Sequence, residues 1–309
     1  MSRTTIDRRP DRVARGAALI VGSVFLMSLQ DAVIKYASAD LPLWQLWLLR
    51  GLLALPALIA VAALRRPAPR SSLARALGGW PLLRAGLLVL MYLCLYAAVP
   101  VLSLSTVAAG FYTGPLFITL LSAVLLGEPV GRRGWLAVAL GFTGVLVVLR
   151  PGGDAFAWPT LLPVLAGLFY ACAAVATRGR CRDAAPVVLA LALNLALLAA
   201  GLLAGLALAL WRPTPAEAAI SPFLFGSWAV MGAADWGLIG LLALLIVGIG
   251  IGLAAAYQAA PPVIVATFDY SYLIFAAAWS YGLFDEPPDG PTVAGTLMIA
   301  GAGLLVVQR

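Results

Sequence analysis

Long stretches of this chain carry no charged side chain at all: residues 85–127, 155–177, 184–211, 236–268 and 290–308. Such runs belong in lipid. A bilayer core about 30 Å thick needs about 20 apolar residues per helix, each rising about 1.5 Å. Proline, glycine and charge divide the sequence into expected spans at 16–36, 44–64, 81–99, 105–126, 134–149, 159–177, 186–210, 236–259, 263–283 and 291–307. Ten helices use about 200 residues, which leaves the 309-residue chain only short loops and two tails. The predicted fold class is therefore an all-α polytopic membrane protein with ten transmembrane helices. Composition agrees, with 63% of residues hydrophobic and 11% charged, where soluble domains run at about 45–50% and about 25%. A soluble enzyme, a nucleic-acid-binding module and a receptor with a large outer domain are excluded. The apolar, aromatic stretch 221–234 fits either an interfacial segment or an early start to the eighth span.

What is missing narrows the chemistry further. The chain has no histidine, so imidazole metal sites, histidine proton relays and Ser-His or Cys-His nucleophile pairs cannot be built within it. Cys94, Cys172 and Cys181 lack any clustered spacing and predict neither a zinc site nor a disulfide framework. No GxxxxGK[ST] loop occurs, so ATP hydrolysis is not expected to power the chain. No catalytic residue, metal or cofactor is expected. The net charge of +7 reads as topology rather than nucleic-acid binding. With the N-terminus in the cytoplasm, fifteen of the twenty basic residues fall in inner segments and only Arg150 and Arg212 outside. That bias obeys the positive-inside rule and places both termini on the cytoplasmic face of a cell inner membrane. Residues 1–15 are expected to be a basic cytoplasmic tail, not a cleaved signal peptide.

The chain also repeats itself. LLSAVLLGEP at 120–129 parallels AWSYGLFDEP at 278–287, and the same offset sets Tyr112 on Tyr270 and Phe117 on Phe275. GFTGVLVVLR at 141–150 parallels AGAGLLVVQR at 300–309, and LPLWQLWLLRG at 41–51 falls on APVVLALALNL at 185–195, with Arg50 opposite Asn194. Five spans per half is an odd number, so the halves at 16–150 and 151–309 must be oppositely oriented, which is the inverted-repeat plan of secondary transporters.

These features resemble the drug/metabolite transporter superfamily, and within it the EamA type. The residues that carry the resemblance are SLQDAVIKY at 28–36, WLLRGLLALP at 47–56 and the segments 96–129 and 256–287. The resemblance covers the whole chain. It implies that the first four helices of each half line a cavity while the fifth and tenth lie at the periphery. The SLQDAVIKY opening is similar to a subgroup assigned to cofactor-like solutes such as S-adenosylmethionine or riboflavin.

Ionisable groups inside a bilayer cost several kcal/mol, so they face a cavity, pair or snorkel. Asp31 and Lys35 share one face of the first helix by their i, i+4 spacing, and Arg50 lies at similar depth in the second. Either Asp31 neutralises Arg50 while Lys35 snorkels, or the three recognise the charged group of a solute, with Arg50 as fork donor. Asp269 lies in the ninth span with no evident basic partner; it would carry a proton, bind a substrate amine or cap an irregular turn. Asn194 is a polar candidate or a helix bridge. Gln30, Tyr92, Tyr96, Tyr112, Tyr170, Tyr257, Gln258, Tyr270 and Tyr272 are candidate cavity residues, though aromatic stripes are more often packing. Arg84 is expected to snorkel, and Trp44, Trp47, Trp158, Trp211 and Trp236 to anchor at the interfaces. Gly141, Gly144, Gly248, Gly250, Gly252, Gly295, Gly301 and Gly303 read as close-packing positions, and the two Glu-Pro pairs as helix stops.

The expected function is secondary transport of a charged or zwitterionic metabolite, such as an amino acid or an S-adenosylmethionine-like cofactor, by alternating access. A multidrug or toxic-metabolite exporter of the same fold is the alternative; a passive channel or scaffold fits less well. The expected partners are a small-molecule substrate, protons as coupling ion and the lipid bilayer.

Overall fold

The computed structural model describes residues 13–64, 69–127, 131–149 and 158–307. The tail at 1–12, residues 65–68 of the basic turn after the second span, Glu128, Pro129, Arg150 and Arg309 lie outside the described residues, as does the packing around Gly303. The chain runs through α1 (Val13–Ala37), α2 (Leu43–Leu64), α3 (Pro69–Ala76), α4 (Gly79–Ala98), α5 (Leu104–Phe111), α6 (Gly114–Leu126) and α7 (Arg132–Leu149). A 3-10 turn (Trp158–Thr160) then leads into α8 (Leu161–Arg180), α9 (Pro186–Trp211), α10 (Pro215–Ile220), α11 (Pro222–Phe225), α12 (Ala233–Ala259), α13 (Pro262–Asp269), α14 (Ser271–Phe284) and α15 (Gly290–Val307). No strand occurs among the described residues.

Among the described residues, seven helical segments are long and apolar enough to cross a membrane: α1, α2, α4, Thr106–Leu126, Trp158–Arg180, α9 and α12. Mean hydropathy reaches 2.5 in α9 and 2.7 in α12. Their outer faces carry exposed leucines such as Leu52, Leu202, Leu203, Leu206 and Leu244. Water would punish that surface; lipid does not, because helices satisfy their backbone groups internally.

Two expected spans are not single helices. Residues 105–126 break between α5 and α6 at Tyr112 and Thr113, and 263–283 break at Tyr270. At the first break Pro115 sits in the opening turn of α6, where its missing N–H is harmless; in a continuous helix it would remove a backbone bond. Gly167 of α8 presses against this break, and a Cβ there would meet the Phe111 carbonyl oxygen at 2.6 Å. At the second break Ser271 Oγ donates to the Phe268 carbonyl, 2.8 Å, competing with the helix ladder. The tyrosines at the breaks are the pair that the sequence repeat superposes. The same offset relates two of the three left-handed helix ends among the described residues, Gly127 at φ 65° and Asp285 at φ 52°; the third is Arg212, after α9.

The main helix pairs are α7 with α15, α2 with α9, α1 with α12 and α4 with α8. The broken segments cross over, α5 against α14 and α6 against α13. Gly144 and Gly295 let α7 and α15 touch: a Cβ on Gly144 would meet the Gly295 carbonyl oxygen at 2.7 Å. Gly301, expected to pack as tightly, has open space where its Cβ would be. The 221–234 stretch is neither a continuous span nor a helix throughout. It forms short α11 and an irregular strap that Gln45 ties down, accepting from Ala229 N at 2.8 Å and donating to Ala229 O at 2.9 Å. Trp44 Nε1 donates to Leu224 O, 2.7 Å. Trp47 is wholly buried rather than at an interface, because Gly201 of α9 lets the two helices close over it.

Candidate solute-binding site

Two buried carboxylates organise the interior. Asp31, on α1, has 1% of its surface exposed. Its Oδ1 accepts from Tyr96 Oη of α4 at 3.1 Å and its Oδ2 from Tyr272 Oη of α14 at 2.6 Å. Gln30 Nε2 donates to Tyr96 Oη, 2.8 Å, and Arg50 Nη1 of α2 reaches Gln30 Oε1 at 3.4 Å. Arg50 therefore connects to Asp31 through Gln30 and Tyr96. Tyr92, one turn before Tyr96, stacks on it with ring centroids 5.4 Å apart.

Asp269 ends α13 and is fully buried. Its Oδ1 accepts from Tyr112 Oη, 3.2 Å, at the other helix break. Its Oδ2 accepts from Tyr170 Oη of α8 at 2.8 Å and lies 3.4 Å from Tyr257 Oη of α12, which also reaches Tyr170 Oη at 3.2 Å. The Tyr112 and Tyr272 rings stack at 5.1 Å, so the two carboxylate nests touch back to back. Tyr270 packs its ring 5.7 Å from Tyr112. Phenol donors stabilise carboxylate charge where water is excluded, so each nest is a polar island in an apolar bundle.

Residues 14–150 match the EamA-like transporter family. Across all of this chain and 96% of its own length, the riboflavin transporter of Rhizobium johnstonii (strain DSM 114642 / LMG 32736 / 3841) is 29% identical. The Pseudopaline exporter CntI of Pseudomonas aeruginosa (strain UCBPP-PA14) is 26% identical over 94% of this chain and 95% of its own. A crystal structure with 18% sequence identity superposes at TM-score 0.68, covering 94% of this chain and 97% of that one, which bears on the fold alone. The chain is thus similar to the EamA-like transporters over residues 14–150 and to these relatives over nearly its whole length. It is a multi-pass membrane protein and a transporter of small metabolites.

Not every residue singled out in the sequence joins this transporter's interior network. Lys35 parts from Asp31 and Arg50: its Nζ lies 2.7 and 2.8 Å from the two carboxylate oxygens of Glu286 and 4.9 Å from the Phe284 ring. One helical turn carries it past the buried layer to the end of α1, where an ion pair is affordable. Gln258 donates to the Cys181 and Ala184 carbonyls, at 2.9 and 2.6 Å, and so fastens the α8–α9 turn. Asn194 is fully buried; its Nδ2 bonds back to Ala190 O at 3.0 Å, while its Oδ1 has no partner among the described residues. Arg84 does not snorkel. It has 3% exposure and donates Nε to Thr177 Oγ1 of α8 at 2.6 Å. Sequence reasoning missed Gln45, Thr177 and the Glu286 partnership. Only the last left a signal, the repeated Glu-Pro.

Proposed function

We propose that this chain is a secondary transporter of a charged or zwitterionic small metabolite, placed in the cell inner membrane with both termini cytoplasmic. Residues 16–150 and 151–309 are two inverted five-helix repeats following a tail at 1–15, and the solute crosses by alternating access between them. The observation that carries this reading is reciprocal. Asp31 of the first half is bonded by Tyr272 of the second, and Asp269 of the second half is bonded by Tyr112 of the first. Rocking the halves must break both links, and a polar solute entering between them can replace the lost hydrogen bonds.

Other features support the repeat. The two breaks and the left-handed helix ends at Gly127 and Asp285 follow one offset. Exchanging each helix for its counterpart five spans on also maps α1–α12 onto α8–α4 and α5–α14 onto α13–α6. Discontinuous helices at the midplane are where transporters of this build hold their cargo. Arg50 Nη2, Trp47 Nε1 and Asn194 Oδ1, all on the paired helices α2 and α9, have no partner among the described residues. Each unmet buried group costs about 1–3 kcal/mol, a cost that a bound solute can remove.

A second reading, a planar aromatic solute, is favoured by the Tyr92–Tyr96 and Tyr112–Tyr272 stacks and by the riboflavin named for a relative. Purified protein in proteoliposomes tests both. Saturable counterflow of an amino acid or S-adenosylmethionine supports the first reading and counterflow of riboflavin the second, whereas flux without exchange stimulation would indicate a channel. Arg50→Lys is expected to fold normally and lose charged-solute exchange, because lysine keeps the charge and loses the fork.

A further inference from the structure

We propose that Arg84, with Thr177 and Tyr170, forms a second anion station that takes a carboxylate or phosphate group of the transported solute. This rests on the transport reading above and adds a site to it. A guanidinium stays charged at any cellular pH, and Arg84 is 97% withdrawn from the surface, with 3% exposed. Its Nε uses the Thr177 hydroxyl oxygen, whose own proton goes to Ala173 O at 2.7 Å. Its Nη1 has no partner among the described residues. Among the described residues the ionisable groups acting on it are Cys181, Tyr170 and Tyr92, none of them a carboxylate. A buried charge left without a counter-charge is among the most costly features a fold can keep.

A purely structural tie between α4 and α8 would need only the bond to Thr177, which a neutral donor supplies. The position also suits a solute path. Tyr170 and Thr177 are spaced i, i+7 on α8 and so share a face about 10 Å apart along its axis. Tyr170 donates to Asp269, so that face leads from a carboxylate that can receive a cationic group to a guanidinium that can receive an anionic one. Tyr92 lies within electrostatic reach of both Arg84 and Arg50, which makes Arg84 the next cation along the same interior from the Asp31 nest. A zwitterion or an acidic solute has charges for both stations; a neutral solute has none.

Melting of the detergent-purified full chain tests the station with sodium glutamate and sodium phosphate as probes, against sodium chloride at equal ionic strength. The wild-type melting temperature is expected to rise by about 2–4 °C with either oxyanion near ten times its Kd. Arg84→Gln is expected to melt no lower than wild type in chloride and to lose the oxyanion increment. Should that variant fail to fold, Arg84→Lys decides, with an increment expected at half or less. An increment that survives in the variant read, or is absent from wild type, overturns the proposal. So does stabilisation by phosphatidylglycerol without any by the soluble oxyanions, which would assign the guanidinium to a lipid headgroup. Binding is read here without transport, so missing counterflow with an intact increment sinks the transport reading alone.

Discussion

Asp31 and Asp269 are both buried carboxylates held by phenols, yet they are built differently. Asp31 sits inside continuous α1, and its neighbours include Gln30 and the guanidinium of Arg50. Asp269 stands at a helix break, and among the described residues the side chains bonding it are Tyr170, Tyr112 and Tyr257. The charge of the first is answered within the fold. The second meets only phenolic dipoles, so on the proposed mechanism its cation arrives from outside the chain, as a proton or a substrate ammonium group. On that proposal one carboxylate anchors and the other cycles.

The sharpest break of that comparison is Asp269→Asn. Asparagine keeps a hydrogen-bonding oxygen but cannot ionise, so pH-gradient-driven flux in proteoliposomes is expected to fall to the level of empty vesicles. The melting temperature should stay within about 2 °C of wild type, since no counter-charge is orphaned. Undiminished gradient-driven flux would remove Asp269 from coupling.

Asp31→Asn should show the opposite balance. It leaves Arg50 in a buried layer with its nearest anionic group gone, and a cost of about 1–3 kcal/mol is expected. Adding Arg50→Gln should return part of that loss, because neighbouring charges do not add independently. Fully additive losses in thermal melts would mean that the two groups do not feel one another.

A smaller effect separates the two phenols that cross between the halves. Tyr272→Phe deletes a 2.6 Å bond to Asp31 and Tyr112→Phe a 3.2 Å bond to Asp269. The first is expected to cost about 1.5 kcal/mol and the second about 0.5 kcal/mol. Tyr112→Phe should nevertheless shift the pH profile of flux more than Tyr272→Phe does, because it touches the carboxylate that cycles. Equal pH profiles would erase the distinction.

Much of this architecture was legible before any coordinates. Apolar runs located every long helix, since lipid tolerates little else, and the repeat paired Tyr112 with Tyr270 before either was known to mark a break. The break at 112–113 had a signal in Gly114-Pro115 that an unbroken apolar profile concealed. The break at Tyr270 had no glycine or proline to announce it. At the site, helical periodicity gathers Asp31, Lys35 and Arg50 at one depth, and the structure keeps only Asp31 and Arg50 together, through Gln30 and Tyr96. Periodicity could not say that Lys35 would turn to Glu286, 251 residues away, or that Arg84 would bury itself against Thr177, because such partners depend on which helices meet. Pairings across the halves, such as Tyr272 with Asp31, are tertiary facts that no local pattern encodes.

A third carboxylate supplies the reference for the other two and the smallest expected effect. Glu217 closes a capping box at α10, outside the apolar spans: Thr214 donates to its Oε2 from the backbone N–H at 2.7 Å and from Oγ1 at 2.8 Å. Those two bonds hold the Glu217 carboxyl below the usual carboxylate range. A carboxylate whose titration is depressed by folding stabilises the fold above its unfolded value and loses that contribution as pH falls through its folded one. Hydrogen-exchange protection of the α10 amides should therefore be complete near pH 7, fall below about pH 4 and lose this pH dependence in Glu217→Gln. Transport in that variant should keep the wild-type pH profile, because the carboxylate proposed to govern flux is shut among phenols rather than open to water. A flux profile that moved with Glu217 would place the pH response at the protein surface and take it away from Asp269.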